Sequence, residues 1–121
     1  MVDISAYFVA GGDRRIAELA AMLAADGHTV STYALCTTQT YSSLRQAAQG
    51  ARYAILPLPL ADGDYLNAAS GNACTIEELF EAIKGCEIVF AGKVGKKEER
   101  LARKLSINLL DYYSREDLQV A

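Results

Sequence analysis

A strand-forming run meets two glycines and then a helical pattern at residues 6–16, and this junction limits the possible folds more than any other stretch. Ala6 to Ala10 are apolar or aromatic. Gly11 and Gly12 then permit a sharp turn, and Asp13 can accept hydrogen bonds from the free amides of a first helical turn. The stretch predicts a strand, a tight turn and a capped helix. Such a turn is either a ligand loop or only a capped connection, and these residues leave both open.

Strand and helix patterns alternate along the rest of the chain. Runs of β-forming residues predict strands at residues 5–10, 28–35, 52–56, 86–91 and 107–110. Apolar residues at helical spacing predict helices at residues 13–25, 44–49, 75–84 and 96–105. The alternation predicts a three-layer α/β domain, in which helices cover both faces of a five-stranded parallel sheet of order 2-1-3-4-5.

A long irregular stretch interrupts this alternation at residues 60–74. The pair Asp62-Gly63 is typical of a hairpin turn, so a small β-ribbon is expected here. Just before it, Pro57 and Pro59 are expected to keep the chain extended and stiff at the carboxyl edge of the sheet. Irregular stretches of this length are often functional.

Serine and threonine mark three predicted helix starts. Thr75 and Glu78 have the spacing of a capping box. Either Ser42 or Ser43 caps the short second helix, and residues 114–117 resemble another capping box near the end of the chain.

Length and composition fit one domain, residues 1–121. The chain is 51% hydrophobic, which suits a buried core, and its net charge of −3 gives no reason to expect nucleic-acid binding. No apolar run approaches the ~20 residues of a membrane span, and no secretory signal pattern is recognisable. We therefore expect no membrane partner and a cytoplasmic location.

The cysteine and histidine content argues against a metal site. Cys36, Cys74 and Cys86 form no C-x-x-C pair, and we expect them to be buried packing residues. The one histidine, His28, starts a predicted strand and is interpreted as an edge residue rather than a ligand or base.

Several well-known site motifs are missing. The first turn lacks G-x-G-x-x-G and the Walker pattern, so no cofactor is expected in this domain. A phospho-receiver domain needs an aspartate where this chain has Leu56-Pro57. No nucleophile elbow is recognisable either.

Six basic residues lie close together near the fourth predicted helix: Lys93, Lys96, Lys97, Arg100, Arg103 and Lys104. Such a run is typical of a solvated helix face, and the alternative is an anion or partner patch. Lys93 is separate because it lies in the turn before the helix. With Arg14 or Arg15 it would suit a small dicarboxylate, which arginine binds in bidentate fashion.

Four segments, in order and at matching spacing, resemble the N-terminal domain of the dipicolinate synthase A subunit. They cover nearly the whole chain: Val9–Arg15 with Leu19, Leu23 and Gly27; Ile55–Pro59 with the Asp-Gly loop and Asn67; Val89–Gly92; and Leu110–Asp117.

The resemblance implies a flavodoxin-like or Rossmann-like domain from a longer, two-domain oxidoreductase. A following domain would bind NADP, and a flavoprotein-like B subunit would complete an enzyme that makes dipicolinate from a hydroxylated tetrahydrodipicolinate. The setting would be the cytoplasm of the mother cell during sporulation. The resemblance identifies no catalytic residue in this domain.

We expect this domain to form part of an interdomain substrate cleft. One wall would hold Gly11, Gly12, Asp13 and Arg15. A second would hold Pro57, Pro59 and the loop from Asp62 to Asn67, and a third would hold Gly92 and Lys93. Arg15 or Lys93 is predicted to hold a substrate carboxylate.

Two alternatives remain at the level of sequence. The first is a stand-alone flavodoxin-like module that binds a small anion. The second is an assembly domain that forms a homo-oligomer or docks a partner subunit.

Overall fold

The structure is a computed structural model and describes residues 6–34, 43–68 and 73–111. Its elements, in chain order, are β1 (Ala6–Ala10), α1 (Arg14–Ala25), β2 (Thr29–Tyr33), α2 (Leu44–Ala48), β3 (Tyr53–Ile55), β4 (Ala61–Asp62), β5 (Tyr65–Leu66), α3 (Ile76–Ile83), β6 (Ile88–Ala91), α4 (Lys96–Lys104) and β7 (Leu109–Asp111).

Five strands form one parallel sheet in the order β2-β1-β3-β6-β7. Because β6 and β7 are the fourth and fifth predicted strands, the predicted order 2-1-3-4-5 is confirmed. The carboxyl ends of parallel strands share one edge, so the turns after β1, β3 and β6 lie along that edge.

The expected β-ribbon is also confirmed. Strands β4 and β5 pair antiparallel, with Asp62 opposite Tyr65, around a turn in which Gly63 has a φ of +67°. A left-handed φ is favourable for glycine, which explains why an Asp-Gly pair marks this turn.

Two predicted strands begin too early in the chain, because the residues before each strand complete the preceding helix instead. The last strand begins at Leu109 and not at Ile107, whose amide donates to the Ala102 carbonyl at 2.8 Å and closes α4. Cys86 likewise donates to the Ile83 carbonyl at the end of α3. Predictions for residue 5, residues 35–42 (Cys36 and Ser42 included) and residues 112–117 lie outside the described residues.

The two faces of the sheet are covered unequally by the described helices. On one face, Phe8, Ala54 and Val89 pack with residues of α2, α3 and α4. On the other face, Val9 packs under α1. Its in-register neighbours Ile55, Phe90 and Leu110 continue that face and are half-buried.

Two of the three cysteines lie in the described residues. Cys74 is buried, as predicted, and Cys86 is half-buried. Burial raises the pKa of the Cys74 thiol to about 11, with a smaller contribution from Glu78, so this thiol is protonated at neutral pH. None of the helices in the described part of the chain is long and apolar enough to cross a membrane.

Candidate functional site

The turn after β1 is built from two buried glycines with left-handed backbone. Gly11 and Gly12 have φ values of +69° and +74°. The Gly12 amide donates to the Asn67 carbonyl at 2.6 Å, and a Cβ added to Gly11 would lie 2.6 Å from the same oxygen. Glycine is therefore required both by the dihedral angles and by the close approach of the two backbones.

Asn67, at the end of the ribbon, connects the turn after β1 to the proline-containing chain segment at residues 57–60. Its side-chain amide donates to the Pro59 carbonyl at 2.9 Å, and its backbone amide donates to the Leu60 carbonyl at 3.0 Å. Together with the bond from Gly12, these contacts hold two of the three predicted cleft walls against each other. The sequence placed Asn67 in a wall but did not predict that it joins them.

The third wall is attached by Gly92, at the end of β6. The Gly92 amide donates to the Pro57 carbonyl at 3.3 Å, and its carbonyl accepts from the Leu60 amide at 2.9 Å. Lys93 follows with a φ of +48° and an exposed side chain. The predicted walls are thus neighbours along the carboxyl edge of the sheet.

Asp13 caps α1, as predicted. Its carboxylate accepts from the Arg15 backbone amide at 2.9 Å and forms an ion pair with the Arg15 guanidinium at 3.0 Å. The hydrogen bonds from the Arg15 side chain and backbone lower the pKa of Asp13. Both side chains are exposed, so the pair can exchange partners at little cost in free energy.

A hollow of about 230 Å³ lies between the start of α1 and the chain after β3. Its lining residues are Gly12, Asp13, Arg15, Ile16, Leu19, Pro57 and Leu58. The hollow brings together predicted residues of the first and second walls. Asp62, on the ribbon, and Lys93 do not line it.

A nucleotide pyrophosphate does not fit the glycine turn. The Gly11 amide donates to the Tyr33 carbonyl at 3.0 Å, and the Gly12 amide donates to Asn67. Phosphate loops instead direct such amides at the ligand. Across residues 6–34, 43–68 and 73–111, no three His, Cys, Asp or Glu side chains are arranged to hold a metal ion.

His28 is distant from this edge because it precedes β2 and therefore lies at the amino ends of the strands. Its ring meets that of Tyr7 edge-on, with 5.2 Å between the centroids. Its Nδ1 atom is buried and has no hydrogen-bond partner among the described residues. His28 thus lies at the start of β2, an outermost strand of the sheet, which agrees with its interpretation as an edge residue.

A larger groove of about 550 Å³ was not predicted. It lies between the start of α3, one side of α4 and the ribbon tip, and we call it the α3–α4 groove. Its lining residues are Gly63, Asp64, Thr75, Ile76, Glu77, Lys97, Glu98, Arg100, Leu101 and Lys104. The basic run at residues 93–104 was the only signal of it in the sequence, and spacing alone could not bring α3 and the ribbon beside that helix.

Comparison with known families settles what kind of domain this is. The family model of the N-terminal domain of the dipicolinate synthase A subunit matches residues 6–113. The chain belongs to this family. The resemblance on which the sequence prediction was based is therefore confirmed.

Two solved structures of dipicolinate synthase share the fold. The A chain of the enzyme from Bacillus subtilis superposes with a TM-score of 0.76 at 18% identity, over 99% of this chain and 44% of that chain. The A subunit from Bacillus halodurans gives 0.73 at 16% identity, over 93% and 42%. The chain thus spans less than half the length of either protein. Comparison with curated protein sequences gives no match.

Proposed function

We propose that this domain forms one wall of the substrate cleft in an oxidoreductase that resembles the dipicolinate synthase A subunit. The family match over residues 6–113 is the observation that carries the proposal. The joined loops at the carboxyl edge support it, because ligands of open α/β sheets bind at this edge. The substrate would be a hydroxylated tetrahydrodipicolinate, in the cytoplasm of a sporulating mother cell.

The chain's own contribution would be to bind and orient a dicarboxylate. Arg15 borders the hollow, and its guanidinium already binds the carboxylate of Asp13. A substrate carboxylate would take the place of Asp13. Lys93, in the turn after β6, does not line the hollow and is the alternative carboxylate-binding residue. Hydride transfer would require NADP. Both glycine amides of this turn are already bonded, and the resemblance to the dipicolinate synthase A subunit assigns NADP to a following domain.

Substitution of the two basic residues tests this role. In the full-length enzyme with its B subunit, either Arg15→Ala or Lys93→Ala is expected to raise KM about tenfold or more, because one of them removes a charge-assisted bond to a substrate carboxylate. Arg14→Ala is the matched control, since Arg14 lies next in sequence and pairs with Glu18 at 3.7 Å.

Unchanged KM and kcat in both variants would contradict the carboxylate-binding role. Calorimetry of the 121-residue chain with dipicolinate separates the wall from an independent anion-binding module. If the domain is only one wall of the cleft, we expect no measurable heat of binding. Measurable binding of dipicolinate by the isolated chain would favour an independent anion-binding module.

A further inference from the structure

The α3–α4 groove combines a buried floor with long charged side chains at its rim. Ile76 is buried at the start of α3, and Leu101 of α4 is half-buried. The aliphatic stems of lysine and arginine extend such an apolar surface while their charged ends stay in water. The ribbon tip is held beside the groove by an ion pair from Asp64 to Lys97 and by the Ile76 amide, which donates to the Asp64 carbonyl at 2.9 Å.

The charged side chains around the groove differ in whether they already have a bonding partner. Asp64 pairs with Lys97, and Glu98 accepts from the Gly95 amide at 3.0 Å. Glu77 lies in the first turn of α3, where the helix dipole favours a negative charge. Arg100 and Lys104, like Glu77, have no ion pair within the described residues, so two cations and one carboxylate of the groove lack a bonding partner there.

Arg100 and Lys104 stand one helical turn apart on α4, with Leu101 between them in sequence. Residues with this spacing have Cβ atoms about 6 Å apart on one face of a helix. Two carboxylates spaced by four residues on a facing helix match that separation. An apolar side chain on the same face would then lie over Leu101 and Ile76, as in other helix-in-groove interfaces.

The groove is separate from the hollow beside α1, although Gly63 and Asp64 at its edge belong to the ribbon of the second predicted wall. It is formed by α3 and α4, which pack on the sheet face opposite α1, whereas the hollow lies against α1. A partner in the groove would therefore leave the hollow open.

We propose that the α3–α4 groove docks an acidic amphipathic helix of the partner subunit, with carboxylates four residues apart bound by Arg100 and Lys104. The inference rests on the proposed function, because it takes the B subunit of the enzyme as the partner. It adds the surface and the chemistry of that contact.

Binding of the purified B subunit from the same organism, measured by calorimetry, tests the proposal. The double variant Arg100→Glu with Lys104→Glu is expected to weaken Kd about tenfold or more, since it reverses both contact charges. The matched control is Lys96→Glu with Arg103→Glu. It makes the same change in net charge on the same helix, at residues that do not line the groove. Equal thermal denaturation midpoints would verify that the groove variant is folded.

Each outcome has a distinct meaning. A selective loss in the groove variant supports the proposal. Equal losses in both double variants, or no loss in either, would overturn the groove as the docking site and leave the proposed function intact. If the unaltered protein did not bind the B subunit, both this inference and the partner assignment would be overturned. The substrate role would still be judged by the Arg15 and Lys93 kinetics.

Discussion

At the scale of single residues, three glycines share a left-handed backbone but differ in their surroundings. Gly11, Gly12 and Gly63 have φ values between +67° and +74°. A Cβ on Gly63 meets nothing within 4 Å, whereas one on Gly11 meets the Asn67 carbonyl oxygen at 2.6 Å. The contact between the two loops therefore requires glycine at position 11, whereas no close contact requires it at position 63.

Alanine substitution is expected to separate these two effects. Gly63→Ala should lower the free energy of unfolding by about 1 kcal/mol, the usual cost of a left-handed alanine. Gly11→Ala should lower it by about 3 kcal/mol, because the backbone contact must also open. Urea denaturation measures both. Equal losses would show that the close approach to Asn67 is not a constraint in solution.

The sequence predicted the two glycines and their turn because local patterns encode them. It did not predict the bond from Gly12 to Asn67, since that contact joins backbone atoms from distant parts of the chain. The carbonyl oxygen is present in every residue type, so no residue at position 67 signals it. The hydrogen bond between the turn and Asn67 can be identified only in the structure, where the ribbon lies against the turn.

At the scale of elements, helix starts were predicted closely. Thr75 caps α3, and its backbone amide donates to the Glu78 carboxylate at 2.9 Å, which completes the predicted capping box. Ser43, one of the two predicted candidates, caps α2. Strand ends were predicted less well, because an apolar residue such as Ile107 suits both a strand and the closing turn of a helix.

The start of α1 gives a pH-dependent prediction. Arg15 lowers the pKa of Asp13 below the ordinary value of 3.8, so the folded state favours the ionised carboxylate. This contribution to stability is present above the unfolded-state pKa and is lost as pH falls through the lower folded-state pKa. In Arg15→Ala, NMR titration should show the Asp13 pKa shifted up towards its ordinary value. Arg14→Ala is the control and should leave it unchanged. An unaltered Asp13 titration in Arg15→Ala would refute the ion pair.

At the scale of the whole molecule, the unequal covering of the sheet predicts unequal tolerance to substitution. Phe80 of α3 is fully buried between the helices and one face, whereas Phe90 of β6 is half-buried on the other face. Phe80→Ala is expected to cost about 3–5 kcal/mol of unfolding free energy, as in other cavity-forming substitutions. Phe90→Ala should cost clearly less.

Denaturation curves of the two variants under identical conditions test this difference between layers. A loss in Phe90→Ala that equals the loss in Phe80→Ala would mean that Phe90 lies in an equally closed core. The three-layer prediction from sequence could not anticipate the difference. Alternating strands and helices predict which elements exist, but not how completely each face is covered.

The strand order has a consequence for how the chain can fold while it is being synthesised. Once β1 and β2 have paired, β3 joins the free side of β1, β6 then joins β3, and β7 joins β6. Each newly made strand of the sheet therefore adds to an exposed edge, and none has to be inserted between strands that are already bonded. Because chains emerge from the ribosome amino end first, the sheet can grow in the order of translation without breaking an earlier ladder.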